Sequence, residues 1–383
     1  MTDIKSNPDK KINILELRVV RGSGGGPEKT IFLSAEMIDK EKFSTVVVYI
    51  GQKGDKAFGV TKKAEGRDVK YIELWERGRF DWRIIRKLLQ IIKEYSIDIV
   101  HGHDYKSDVI GRVLRIFTPV KLISTVHGWV GNNSKERFYN YVDRKVLKKY
   151  DKVIAVNKPI MDLLVQKKVN PRKVELIHNA ILVEDYAPQS EVKDLRSELK
   201  IPDSAPVLGF VGRISEEKDL PLLFMAVKKS LPDFTDLKVL ISGDGPLIDK
   251  LKDYCNKIGI GEQVFFLGQV QDIKRVYLTM DVFILTSKTE GIPNVILEAM
   301  AMRVPVISTN VGGVGEIIRH NTDGVLIQAG DIAGLCHYFS KMLKENDYRN
   351  NVVNEAYKRV SENFGFSARL KRIEEIYKEL MRG

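Results

Sequence analysis

Short runs of apolar, largely β-branched residues alternate along most of the chain with stretches whose apolar positions recur at helical spacing. That alternation predicts βα units and a parallel sheet. In the first half, Lys11–Val20, Ser44–Ile50, Ile97–Val100, Lys121–Val126 and Lys152–Val156 read as strands, with helices over Asp81–Tyr95 and Ser134–Tyr150 among the intervening segments. A second series follows, with strands at Val207–Val211, Leu237–Ser242, Gln263–Leu267, Val282–Leu285 and Val304–Ser308 and a helix over Leu247–Lys257. Residues 180–206 carry three prolines, mixed charge and one short helical pattern, which predicts a linker between the series. From Phe366 onward, Leu370, Ile373, Ile376, Tyr377 and Leu380 repeat at helical spacing and predict a terminal amphipathic helix.

Two series of βα units imply an α/β protein of two Rossmann-like, doubly wound domains. Their expected bounds are 1–180 and 181–365, with the terminal helix 366–383 packing back onto the first. The length of 383 residues agrees, because it exceeds what one core usually serves. Two such sheets facing each other would align their strand ends, where ligands of open parallel sheets bind, along one cleft.

Composition narrows the class. An apolar share of 43% with 30% charged residues excludes disorder as the main state. No apolar run approaches the roughly 20 residues of a membrane span, and the first ten residues lack the apolar stretch of a secretory signal. A cytoplasmic chain is expected. Cys255 and Cys336 show no metal-ligand spacing and read as buried thiols. The net charge of +11 lies in the first half, which favours anionic partners without choosing among lipid headgroups, phosphorylated substrates and nucleic acid.

Candidate chemistry sits in the loops after strands. Arg21–Thr30 is a glycine-rich turn between a strand and a helix, so a phosphate can approach its backbone. The dinucleotide fingerprint fails because Pro27 stands at the third glycine position, and the P-loop pattern fails at Glu28. After the strand at Val207, Arg213 and Lys218 are two cations placed to converge on a diphosphate and neutralise it as it leaves. Gly243 and Gly245 of LISGDGP read as a plain turn.

Residues 289–316 are the most informative stretch. Gly291 and Pro293 turn the chain into a helix beginning near Asn294, whose exposed amides suit an anion. Glu290 lies just before that helix and Glu298 a turn inside it, two carboxylates suited to accepting hydrogen bonds from sugar hydroxyls. Gly312 and Gly313 form another close-approach turn before Glu316.

The order Gly25-Gly26-Pro27-Glu28, Arg213 with Lys218, GDGP, the block from Glu290 through Glu298 to Ala301, and Gly312-Gly313 with Glu316 resembles the retaining GT-B glycosyltransferases of family 4. The resemblance spans nearly the whole chain. It implies transfer of a sugar from a nucleoside diphosphate donor, UDP or GDP, with retention of anomeric configuration and with no cofactor besides the donor. It also implies that Arg213 and Lys218 hold the diphosphate, Glu298 the ribose, and Glu290, with Gly291 beside it, the donor sugar. Gly25 and Gly26 would admit the donor phosphate, and backbone groups near Gln269 and Val270 would meet the base. His127, in STVHGW after a strand, matches a family histidine beside the donor sugar and is the candidate for a catalytic hydrogen bond.

The cluster His101, His103 and Asp104 is not expected to bind a metal, on the ground that alternate residues at a strand end point to opposite sides. His103, Asp104 and Lys106 are expected to face the acceptor instead. No D-x-D motif follows a strand, so Arg213, Lys218 and helix amides would serve where a cation otherwise bridges the diphosphate.

A saccharide or lipid-linked acceptor is expected, in cell-surface polysaccharide or glycolipid synthesis. The basic segments around Arg83, Arg86, Lys87 and Lys93 and from Lys135 to Lys149 would rest on an anionic membrane face, giving a peripheral protein at its inner side. Other readings are a sugar-nucleotide epimerase or phosphorylase on the same fold, the latter lacking a visible pyridoxal phosphate lysine. A lipid-surface or nucleic-acid module would leave the Glu290–Glu316 constellation without a task and shows no aromatic platform; nucleic acid is not expected as a partner.

Overall fold

Most of the apolar runs become central strands because, in a parallel sheet covered on both faces, successive side chains are all buried. The computed structural model describes residues 11–22, 26–56, 58–78, 81–128, 134–186 and 192–382, with the side chains of residues 134–138 and 140 left out. The chain divides into two units, 1–179 with 367–383, and 180–366.

In the first unit, β1 (Ile12–Val19), β2 (Phe43–Gln52), β3 (Lys70–Glu76), β4 (Ile99–Gly102), β5 (Lys121–Val126), β6 (Lys152–Ala155) and β7 (Val174–Leu176) form one sheet in the order β3-β2-β1-β4-β5-β6-β7. All the pairings are parallel. The strand order reverses between β1 and β4, which makes their carboxyl ends the expected ligand crevice. One face is covered by the helix Trp82–Glu94 and its neighbours. Ile84, Ile85, Leu88, Ile91 and Ile92 of that helix are buried, and Asp81 caps it by accepting from Arg83 N. Its apolar stripe is therefore spent on the core, and its outer face offers Arg83, Arg86, Lys87 and Lys93 with the exposed Trp82.

The terminal helix Phe366–Arg382 closes the opposite face, where Ile373, Ile376 and Tyr377 pack with Ile14, Ile99, Ile123 and Ile154.

The second unit holds β8 (Val207–Val211), β9 (Lys238–Ser242), β10 (Val264–Gly268), β11 (Val282–Leu285), β12 (Val306–Thr309) and β13 (Val325–Ile327), in the order β10-β9-β8-β11-β12-β13. Its reversal lies between β8 and β11. Residues 180–206 are not a free linker, which corrects the sequence expectation. Ile181, Val183, Leu195, Ile201 and Ala205 are buried in this unit's core. Ile181 also forms a parallel bridge to Gly365, with Ile181 N donating to Phe364 O at 3.1 Å, so the entry and exit strands of the unit are joined.

Cys255 is buried and Cys336 half-buried, and both are free thiols. Among the described residues, no helix is long and apolar enough to cross a membrane.

Candidate functional site

In the second unit the loops leaving β8, β9, β10, β11 and β12 are laced together by their own backbones. Gly212 N donates to Ser242 O at 2.9 Å, Ile214 N to Asp244 O at 2.9 Å and Gly243 N to Gly268 O at 2.8 Å. Such close approach needs glycine. A Cβ on Gly243, at φ +136°, would fall 1.9 Å from Gly212 O, and one on Gly312, at φ +56°, would fall 1.8 Å from Glu290 O. GDGP is thus a structural weld, and its Asp244 contributes its carbonyl.

At the strand reversal this frame brings together two residues far apart in sequence. Lys218 closes a short 3-10 turn, Glu216–Lys218, after β8, and Glu290 lies on the loop after β11. Lys218 Nζ stands 2.6 Å from Glu290 Oε1, and Ser287 Oγ donates to the same oxygen at 2.6 Å. Thr286 Oγ1 donates to Lys218 O at 2.9 Å, and Lys288 N to Glu217 O at 2.7 Å, so the two loops are fastened by main chain as well. Arg213 projects into solvent on the same β8 loop. Among the described residues no carboxylate forms an ion pair with it. The rim therefore carries one engaged cation and one uncommitted cation.

The helix Asn294–Ala301 begins at this rim with Pro293 preceding it and no side-chain cap, leaving its first amides open. Asn294 Oδ1 is buried without a hydrogen-bond partner among the described residues. Gly291 O accepts from Gly313 N at 3.0 Å, tying the β11 loop to the β12 loop. Glu298 faces inward and is 2% exposed, with Tyr277 Oη donating to its Oε2 at 2.9 Å. Val270 is half-buried beside the exposed Gln269, just past the bulge at the end of β10.

The first unit gathers a different cluster under the β1/β4 reversal. Glu16 on β1 is in register with His101 on β4. His103 Nε2 lies 2.5 Å from Glu16 Oε2, and His101 bonds Tyr377 Oη through Nδ1 at 2.7 Å and Thr125 Oγ1 through Nε2 at 2.8 Å. Tyr377 Oη also reaches Glu16 Oε1 at 3.0 Å. The rings of His101 and His103 stack at 4.3 Å, so they share one side. This corrects the sequence argument, since residues two apart on an extended chain face alike.

The third member of the cluster is the carboxylate of Glu16 rather than Asp104. These three side chains offer ligand atoms within 4.8 Å of one another, but the atoms are already joined by hydrogen bonds into a network. Burial would raise the Glu16 carboxyl, and the imidazoles of His101 and His103 outweigh it and hold it below the usual range. Burial, followed by His101, pushes His103 down to about 4, so its ring is neutral near pH 7.

His103 is held by Glu16 through Nε2, while its Nδ1 is buried without a hydrogen-bond partner among the described residues. Asp104 caps the helix Tyr105–Phe117 and accepts from Val19 N at 2.7 Å. Lys106 pairs with Glu76, which also binds Arg21 at 2.6 Å.

His127, at the end of β5, has both ring nitrogens buried with no hydrogen-bond partner among the described residues. Burial, then Arg18, His103 and Arg369, pushes its pKa well down, so the ring is neutral. Gly26 opens the helix Gly26–Met37, where Glu28 pairs with Arg18 at 2.6 Å; Gly25 lies outside the described residues. Sequence reading passed over Glu16, although a carboxylate inside the apolar run of β1 is itself a signal that a partner waits there.

Two open parallel α/β units, each with its polar groups at a strand reversal, are the make-up of the GT-B fold. Solved structures agree: Anabaena HepE in complex with UDP and glucose superposes with a TM-score of 0.85 at 19% identity, covering 96% of this chain and 99% of that one. Residues 24–185 match Glycosyltransferase Family 4 and residues 191–359 match Glycosyl transferases group 1. The chain belongs to this glycosyltransferase family. Its relatives include an Escherichia coli UDP-Gal:alpha-D-GlcNAc-diphosphoundecaprenol alpha-1,3-galactosyltransferase, 26% identical over 79% of this chain and 80% of that protein. N-acetyl-alpha-D-glucosaminyl L-malate synthase of Bacillus anthracis is also 26% identical, over 79% of this chain and 80% of its own.

Proposed function

We propose that the protein moves a glycosyl group from a UDP- or GDP-sugar to a hydroxyl of a saccharide or lipid-linked acceptor, with retention and without a metal or other cofactor. The observation that carries this reading is the Lys218–Glu290 pair at the β8/β11 reversal, with Arg213 uncommitted on the same loop. Arg213 and Lys218 take the diphosphate, so fixed cations stabilise the charge that develops as it leaves. Glu290 holds the donor sugar and Glu298 the ribose. The amides at Asn294 face the anion, Gly291 lines the sugar pocket, the main chain near Val270 meets the base, and Gly25 and Gly26 admit the donor phosphate.

In the transfer the bond from the anomeric carbon to the diphosphate oxygen breaks, a bond to the acceptor oxygen forms, and the acceptor proton passes to the departing phosphate. Glu290 is committed to Lys218 and Ser287, which favours holding the sugar over attacking it. Neutral His127 supplies a catalytic hydrogen bond. The relatives that act on a diphosphoundecaprenol-linked sugar and on malate support a hydroxyl acceptor of this breadth, in polysaccharide or glycolipid synthesis.

Screening UDP-, GDP- and ADP-sugars by thermal shift is expected to raise the melting temperature with a UDP or GDP compound, since a ligand of the folded state stabilises it. The product of the best donor keeps the donor's anomeric configuration by NMR. No shift with any donor, or an inverted product, contradicts the proposal, and a covalent glycosyl–Glu290 adduct in a rapid-quench mass spectrum overturns the role of Glu290.

The outer basic face at Arg83, Arg86, Lys87 and Lys93 suits a peripheral stay at the anionic inner face of a membrane, where a lipid-linked acceptor is met. Co-sedimentation with acidic vesicles that weakens with salt is expected. Equal recovery in the supernatant with acidic and neutral vesicles at low salt removes the membrane from the account.

A further inference from the structure

The hydrogen-bond network around Glu16 fixes where each of its protons sits, and it leaves one buried nitrogen over. Glu16 is ionised and only accepts, so Tyr377 Oη donates to its Oε1 at 3.0 Å and His103 Nε2 to its Oε2 at 2.5 Å. Tyr377 has then spent its proton. His101 Nδ1 therefore donates to the phenol oxygen at 2.7 Å, and His101 Nε2 accepts from Thr125 Oγ1 at 2.8 Å. His103 is neutral, so its single ring proton is the one on Nε2. Its Nδ1 is a bare lone pair.

Among the described residues nothing donates to that lone pair, although the side chain is only 6% exposed. Buried polar atoms are ordinarily paired, and an orphan marks a place that a ligand or an ordered water completes. His103 lies just past the end of β4, at the strand reversal where open parallel sheets bind ligands. The ring of His127, 6.1 Å away, also has both nitrogens without a partner among the described residues. A lone pair repels the oxygens of an anion, and Arg18, whose Nη1 donates to His103 O at 3.2 Å, repels a cation. The group that fits is a neutral hydroxyl.

We propose that His103 Nδ1, kept bare by Glu16, accepts a hydrogen bond from a hydroxyl of the glycosyl acceptor other than the one that reacts, so the protein selects acceptors with at least two hydroxyls, saccharides or polyols. This rests on the reading of the protein as a sugar transferase, in which the reacting hydroxyl gives its proton to the departing phosphate and has none for His103. Glu16 is a positioning residue that acts through His103.

The first test is nitrogen NMR of isotope-labelled histidines, with methyl α-glucoside, the methyl α-glycoside of N-acetylglucosamine and L-malate added in turn, each with and without UDP. A protonated Nε2 and a bare Nδ1 are expected for His103, with the Nδ1 signal moved by at least one glycoside and not by malate, which has a single hydroxyl. A protonated Nδ1, the same shift with malate, or a signal that neither glycoside moves overturns the proposal; the last is the result of a buried water only. Glu16→Gln is expected to mix the two His103 tautomers, and a single unchanged tautomer overturns the part given to Glu16.

Two variants separate recognition from folding. His103→Gln keeps a donor for Glu16 and loses the acceptor, so its melting temperature should stay near wild type while affinity for the glycoside falls about 10-fold. His103→Asn keeps an acceptor near the Nδ1 position and loses the donor to Glu16, so its melting temperature should fall while glycoside affinity stays within about threefold of wild type. The opposite order, with affinity following melting temperature, is what a structural histidine gives and overturns the proposal. If wild type binds no UDP- or GDP-sugar, the functional reading falls and this proposal with it; donor binding that stays intact while His103→Gln keeps full glycoside affinity overturns this proposal alone.

Discussion

Lys218→Ala is expected to lower kcat/KM for sugar transfer by about 10²–10³, the loss seen when one fixed donor to a developing negative charge is removed. The same change strips Glu290 of its ion-pair partner. Side-chain exposures of 16% for Lys218 and 9% for Glu290 make this a largely buried pair, and breaking such a pair from one side costs about 3–5 kcal/mol. Ser287 Oγ still donates to the carboxylate, so the cost should fall at the low end.

The double variant Lys218→Met with Glu290→Gln separates the two effects, because it leaves no buried charge. Its melting temperature should recover most of what Lys218→Ala loses, while transfer stays lost. A double variant that regains activity along with stability would mean that Lys218 serves the fold alone.

The second large effect is expected from Gly243→Ala. Its Cβ would meet Gly212 O at 1.9 Å, at a backbone angle of φ +136°. Backbone strain of about 1–3 kcal/mol adds to a similar cost of forcing the loops apart, which predicts a fall in melting temperature of roughly 5–15 °C. Because Gly243 N also donates a hydrogen bond to Gly268 O, the displaced loop shifts both Arg213 and the turn before Val270, and donor affinity should fall with stability.

Gly259→Ala is the control. Gly259 also has a positive φ, +79°, but its Cβ would meet nothing within 4 Å, so it should show the strain alone and unchanged donor binding. Equal losses of donor affinity in the two variants would show that the lacing of the loops has no part in the site.

These expectations depend on features of unequal legibility. The central strands were readable because burial on both faces leaves an unbroken apolar run, as in Val207–Val211. Of the four edge strands only β10 was readable, and β3, β7 and β13 were not. β3 reads KYIELWE, with charges its partly exposed edge position tolerates, and β7 and β13 are three residues each, too short to display any period.

The rim at Glu290 was readable because glycines and proline punctuate it, and the loop reaching Lys218 follows a clear strand. What could not be read was pairing across the fold. The hydrogen bonds of Glu16 to His103 and of His101 to Tyr377 join residues 87 and 276 positions apart, and only the β1–β4 register and the terminal helix bring them together. Tyr277 escaped notice likewise, because a tyrosine in an apolar stretch has the same pattern whether its hydroxyl is idle or, as here, donates to the Glu298 carboxylate.

Cationic capture of the donor's diphosphate is tested most directly by titrating wild type and the double variant Arg213→Ala with Lys218→Ala against both a nucleoside diphosphate and its bare nucleoside. Wild type should bind UDP or GDP at least about 100-fold more tightly than uridine or guanosine, as two charge-assisted contacts of about 1.5–3 kcal/mol each require. In the double variant that advantage should shrink to severalfold at most, with the nucleoside's own weak affinity unchanged. A double variant that still prefers the diphosphate as strongly as wild type would contradict the account.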